Sequence, residues 1–127
     1  MKPVLLIVDD DELILEVYGD YFRQNQFDVK TAATVDQALR LIHQTPIHVI
    51  LSDVVMPRKN GFDLYNEVHS IRPQIRFVFM TGYEHDPVVI ERLESLNAPW
   101  LPKPAQLHQL LQLVQSVLSA EPTSDHT

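Results

Sequence analysis

The 127-residue sequence contains no cysteine, which excludes a disulfide framework and a cysteine-ligated metal and suits a reducing compartment. Long apolar runs are missing too. Met1-Lys2-Pro3 leads into only five apolar residues, Val4 to Val8, before Asp9-Asp10-Asp11, too few for the core of a signal peptide or for a membrane span. A cytoplasmic protein with no membrane contact is therefore expected. Positive charge is in deficit: 10 Lys and Arg stand against 17 Asp and Glu, a net −7, which opposes attraction to phosphate backbones, so no direct nucleic-acid binding is expected. The chain shows no internal repeat, low-complexity tract or second domain. At this length one domain buries about two-thirds of its unfolded surface without a staple.

What is present is an alternation of two patterns. Val4 to Val8, Ile47 to Leu51 and Arg76 to Met80 are short, apolar, β-rich runs, the pattern of parallel strands covered on both faces. Phe27 to Ala33 holds a weaker, partly alternating strand fit for a more exposed position. Trp100-Leu101 lies among Pro99, Pro102 and Pro104; proline cannot donate to a ladder, so this strand is expected at an edge. Between the strands, apolar residues recur at helical spacing: Leu13, Ile14, Val17, Tyr18, Tyr21 and Phe22; Ala38, Leu41 and Ile42 behind a Thr34–Gln37 capping box; Phe62, Leu64, Tyr65, Val68 and Ile71, stopped before Pro73; Val88, Ile90, Leu93 and Leu96 behind Asp86-Pro87; and Leu107 to Leu118. Tyr18, Tyr21 and Phe22 read as core. The alternation calls for a single α/β domain with a parallel sheet, right-handed crossovers and helices on both faces. Residues 1–120 are expected to form it, and residues 121–127, polar and containing Pro122, to be a flexible tail or the start of a linker.

In such a sheet all strand carboxyl ends open on one edge, where ligands collect. Asp9, Asp10, Asp53, Thr81 and Lys103 converge there although they span most of the sequence. Three neighbouring carboxylates repel one another and acquire raised pKa values unless a cation sits among them. A hard, oxygen-liganded ion such as Mg2+ resolves this with two or three carboxylates and water. Lys103 adds a point charge and Thr81 a hydroxyl, a set able to neutralise a phosphoryl group carried on a carboxylate. Asp53 is the candidate nucleophile.

These residues resemble a response-regulator receiver domain over residues 4 to about 119. The resemblance rests on Asp9-Asp10 after the first strand, on Asp53 with Met56-Pro57 and Gly61, on Thr81 ending the fourth strand, on Trp100, and on Lys103-Pro104. It implies a flavodoxin-like, doubly wound sheet of five strands in the order 2-1-3-4-5 with five helices. It further implies a phosphorylation-dependent switch in two-component phosphorelay signalling and not an enzyme with a separate substrate: Asp53 accepts a phosphoryl group from a histidine kinase or phosphotransfer protein. Mg2+ would be held by Asp10 and Asp53, by Asp9 mostly through water, and by the backbone carbonyl of Val55. Thr81 and Trp100 would be the switch pair, changing affinity for a downstream output protein or domain through the face of the fourth helix, fifth strand and fifth helix, with a phosphorylation-linked homodimer as one outcome. The family's Lys-Pro bond implies a cis Lys103–Pro104 peptide. Gly82 stands where the family usually has Ala, Pro99 directly precedes the switch aromatic, and Ala105 replaces a bulkier apolar residue. Val55 and Tyr83, two residues past Asp53 and Thr81, flank the phosphoryl position and are expected to hinder the hydrolytic water and tune phosphate lifetime.

Two rival readings remain at this stage. Asp9-Asp10-Asp11 offers the Asp-x-Asp of a haloacid-dehalogenase-type phosphatase. That family also needs an acidic pair on a strand after the lysine, whereas only Glu121 and Asp125 follow, and Leu13 stands where it has Thr or Val. The other rival is a receiver-like binding module that is never phosphorylated. The six histidines, His43, His48, His69, His85, His108 and His126, show no paired metal-ligand spacing.

Overall fold

A computed structural model describes residues 1–120; the expectation of a tail or linker at 121–127 lies outside the described residues. Ten elements follow one another: β1 (Val4–Val8), α1 (Glu12–Gln24), β2 (Asp28–Ala32), α2 (Val35–Gln44), β3 (Val49–Asp53), α3 (Gly61–Ile71), β4 (Arg76–Thr81), α4 (Pro87–Leu96), β5 (Trp100–Pro102) and α5 (Leu107–Ser119). The strands form one parallel sheet in the order β2-β1-β3-β4-β5, as the sequence implied. β1 and β3 are buried along their whole length, whereas β2 alternates and β5 is only partly covered. The apolar runs are thus central and the weaker strands are the edges.

Side chains alternate across the sheet and build two cores. Leu6, Val8, Ile50, Phe77 and Phe79 face α2, α3 and α4, where Ile42, Leu64, Val68 and Leu93 meet them. Leu5, Ile7, Leu51, Val78 and Met80 face α1 and α5, where Tyr18, Phe22, Leu110 and Val114 pack. Phe22 is fully buried and meets Phe27 edge-on at 5.4 Å, so the core reading of α1 holds.

One strand boundary and two helix caps differ from the sequence expectation. β3 runs Val49–Asp53 and not Ile47 to Leu51: Ser52 is polar but fully buried, its hydroxyl satisfied by the Asp53 carbonyl at 2.8 Å. The end of the apolar run therefore did not mark the end of the strand. His48 lies just before the strand, its Nδ1 accepting from the Val4 amide at 2.9 Å. α3 begins on a capping box, with Asn60 Oδ1 accepting from the Asp63 amide and Asp63 Oδ2 from the Asn60 amide. At α2 the box is incomplete: Thr34 accepts from the Gln37 amide, but Gln37 Oε1 accepts from Ala33 and not from Thr34.

Candidate functional site

The strand ends place the chemistry. Asp9 is the first residue after β1, its amide continuing the ladder to the Ala32 carbonyl at 3.1 Å. Asp53 is the last residue of β3, opposite Met80, and Thr81 the last of β4, opposite Pro102. Lys103 directly follows β5, and its amide donates to the Thr81 carbonyl at 2.8 Å. Ladder bonds thus hold each site backbone to its neighbour before any side chain takes part.

Asp9 and Asp53 are buried and Asp10 is exposed, yet ligand atoms of all three lie within 4.8 Å of one another. Lys103 Nζ reaches Asp9 Oδ2 and Asp53 Oδ2, each at 3.1 Å. Asp9 Oδ1 accepts from the Asp11 amide at 2.9 Å, and Asp11 in turn caps α1 by accepting from Leu13 at 3.0 Å. Asp11 thus serves the helix, while Asp9 and Asp10 belong to the carboxylate cluster with Asp53.

Burial pushes the Asp53 carboxyl above the usual carboxylate range and the charge of Asp9 adds to it, against the pull of Lys103. Burial also raises Asp9, against the bonds from the Asp11 amide and Lys103. Burial works to lower the Lys103 ammonium, but the charges and bonds of Asp53 and Asp9 outweigh it and raise it. One ammonium shared by two buried carboxylates, with a third beside them, leaves the cluster short of positive charge. An all-oxygen donor set short of positive charge fits a hard divalent cation. With a buried carboxylate, two neighbouring carboxylates and an ammonium on one edge, the arrangement is chemically suited to carrying a doubly charged phosphoryl group on Asp53.

The loop after Asp53 is pinned by its own side chains. Val54 and Met56 are buried, Val55 is exposed, and Arg58 takes a left-handed conformation with φ of 70°. Lys59 bridges Asp36 at 3.3 Å and Glu67 at 3.6 Å on the surface. Gly61 brings the loop back onto the strand end. Its amide donates to Val54 at 2.7 Å, and a Cβ there would lie 2.4 Å from the Asp53 carbonyl oxygen.

Among the described residues, the other sequence-derived side chains make no hydrogen bond to the carboxylates. Thr81 is buried and its Oγ1 accepts from the Tyr83 amide at 2.9 Å; among the described residues it makes no bond to Asp53. Tyr83 and Val55 are both exposed, at 51% and 38%. Trp100 is half-buried on the α2/α3/α4 side of the sheet, opposite Phe79 on β4. The Lys103–Pro104 peptide is cis, as implied. His48 is packed against β1, and no histidine joins the acidic cluster among the described residues. Tyr18 packs in the core with Phe22, Leu110 and Val114, as its helical spacing implied.

Comparison with known proteins gives one consistent result. The family profile described as the response regulator receiver domain matches residues 5–115. Among curated relatives, the transcriptional regulator NtrC of Azospirillum brasilense is 28% identical over 116 residues, 91% of this chain and 24% of that protein. The response regulator SaeR of Staphylococcus epidermidis is 26% identical over 125 residues, 97% of this chain and 53% of that protein. The chain thus spans between about a quarter and about half the length of these two relatives. Among solved structures, the chemotaxis protein CheY4 of Vibrio cholerae superposes with a TM-score of 0.84 at 29% identity, covering 93% of this chain and all of that one, 100%.

Proposed function

The chain belongs to the response regulator receiver domain family, a phosphoryl-accepting switch of two-component signalling, and from that membership we propose that Asp53 is its phosphoacceptor. The observation that carries the proposal is the Lys103 ammonium held 3.1 Å from the carboxylates of both Asp53 and Asp9. An Asp53 carboxylate oxygen attacks the phosphorus of a phosphohistidine on a histidine kinase or phosphotransfer protein. The new P–O bond forms as the P–N bond breaks, and the released imidazole takes its proton from solvent. Lys103 moves from the carboxylates to a phosphoryl oxygen, and the Thr81 hydroxyl donates to another.

Receiver domains generally bind Mg2+ at an acidic pocket, and the acidic cluster here fits such an ion. Asp10 and Asp53, the backbone carbonyl of Val55, and Asp9 mostly through water would hold it. Bound there, Mg2+ supplies the positive charge that the cluster lacks and offsets the charge arriving with the phosphoryl group.

The same reading makes Thr81 and Trp100 the switch pair, acting on the face formed by α4, β5 and α5, where an output protein, output domain or second copy of the chain docks. Phosphotransfer and slow dephosphorylation of its own aspartate are the only reactions assigned to it. Residues 1–120 constitute the receiver, 121–127 its tail or the start of a linker, and its site of action is the cytoplasm; no helix among the described residues is long and apolar enough to cross a membrane. Val55 and Tyr83, both exposed and two residues past Asp53 and Thr81, are assigned the shielding of the phosphoryl group from water.

Trp100 fluorescence, followed through acetyl phosphate addition and then donor removal, tests this reading. An Mg2+-dependent change in wild type, absent from Asp53→Asn, is expected, with decay accelerated by Val55→Asn or Tyr83→Ala. A wild type without any Mg2+-dependent change contradicts the active switch, and unaltered decay in both variants contradicts the shielding role.

A further inference from the structure

Asp53 sits where the ladder on one side of β3 has run out. β1 pairs with β3 only as far as Val8, opposite Ser52, and the next β1-side residue, Asp9, turns its amide to the Ala32 carbonyl. On the other side Asp53 stands opposite Met80, and the Val54 amide donates to the Met80 carbonyl at 3.0 Å. The peptide joining Asp53 to Val54 is thus held at its N–H. It is trans, so its C=O points the opposite way, off β4 and past the end of β1. Among the described residues no loop amide donates to this Asp53 carbonyl. A buried carbonyl without a donor is costly.

Ser52 supplies the donor. It follows Val49, Ile50 and Leu51, all fully buried, and is itself fully buried, so packing alone calls for an apolar side chain at this position. Its hydroxyl donates to the Asp53 carbonyl at 2.8 Å. Gly61 closes over the pair: a Cβ there would lie 2.4 Å from the Asp53 carbonyl oxygen and 3.2 Å from Ser52 Oγ. One hydrogen bond fixes a point of a peptide, whereas two fix its plane. With Met80 at one end and Ser52 at the other, the plane that follows Asp53 is set from both sides.

We propose that Ser52 is a positioning residue for Asp53: its buried hydroxyl holds the Asp53 carbonyl beyond the end of the β1 ladder, and so fixes the backbone from which the carboxylate reaches Lys103. The hydroxyl bonds the backbone and not the carboxylate, so it acts through the peptide. A nucleophile must be held to within about 0.5 Å of its productive place, which a peptide free to tilt does not provide. The proposal rests on reading Asp53 as the acceptor.

Wild type, Ser52→Ala, Ser52→Cys and Ile42→Ala are compared for thermal midpoint and, at a temperature where all are folded, for the rate of phosphorylation by acetyl phosphate at saturating Mg2+. Ile42 packs beside Ile47 and Ile75, which precede β3 and β4, so its truncation lowers stability without touching the acceptor. Ser52→Ala is expected to slow phosphorylation about tenfold, with a midpoint no lower than that of Ile42→Ala. Ser52→Cys keeps a weak donor in a similar volume and is expected to be slowed about threefold. Ile42→Ala is expected to keep the wild-type rate. A Ser52→Ala protein phosphorylated within about twofold of wild type overturns the positioning role and leaves the acceptor reading intact. An Ile42→Ala protein slowed as much as Ser52→Ala also overturns it, because the effect is then one of stability alone. Should Ser52→Ala not fold, Ser52→Cys decides in its place, and a wild-type rate there overturns the role. A wild type that is never phosphorylated sinks the acceptor reading and this inference with it.

Discussion

Gly61 shows how a single missing side chain shapes the site. It takes no left-handed conformation, so conformational freedom is not what the position requires; close approach is. A Cβ would meet the Asp53 carbonyl oxygen at 2.4 Å and the Val54 Cα at 3.1 Å, both backbone atoms that cannot swing aside. Gly61→Ala is expected to cost about 2 kcal/mol or more, read by chemical denaturation, and to slow phosphorylation because the displaced backbone is that of Asp53 itself. Wild-type stability in this variant would show that the loop has room to shift. Gly82 is the contrast, with open space where a Cβ would go. At this scale Asp53, Asp9 and Lys103 were legible because a charged residue ending an apolar run is conspicuous.

At the level of elements, the helix starts decide how firmly each loop is held. Asp86 leaves α4 without an orphan donor in its first turn: Pro87 has no N–H, and Asp86 Oδ1 accepts from Val88 at 2.9 Å and from Val89 at 3.4 Å. Asp86→Ala is expected to cost about 1 kcal/mol, with faster amide exchange confined to the first turn of α4. Gln106→Ala in α5, which removes no cap bond, serves as the comparison and is expected to stay within about 0.5 kcal/mol of wild type. Equal costs in the two variants would contradict this account of the caps. Asp86-Pro87 was readable beforehand because cap and first-turn proline follow one another in sequence. The Asn60–Asp63 box was missed because its residue types depart from the Ser/Thr and Glu/Gln pattern, and the end of β3 was misplaced because Ser52 is polar yet fully buried.

For the whole molecule, the sheet puts successive residues of β5 on opposite faces. Tyr18 and Leu101 pack on the α1/α5 side, whereas Trp100 packs with α2, α3 and α4. Along β4 and β5, Thr81 faces Pro102 and Phe79 faces Trp100. The strand order and the two-sided core were legible in the sequence, because buried parallel strands read as continuous apolar runs and the edge strands as broken ones. Which side of the sheet Trp100 and Leu101 occupy was not, since a three-residue strand is too short for its alternation to show.

The proposed function depends on Asp53 accepting a phosphoryl group in a site short of positive charge. Intact mass after incubation with acetyl phosphate tests this most directly. Wild type with Mg2+ is expected to gain the mass of one phosphoryl group, and neither Asp53→Asn with Mg2+ nor wild type with the metal chelated is expected to gain it. A wild type that gains nothing, or an Asp53→Asn protein modified to the same extent, would contradict the account.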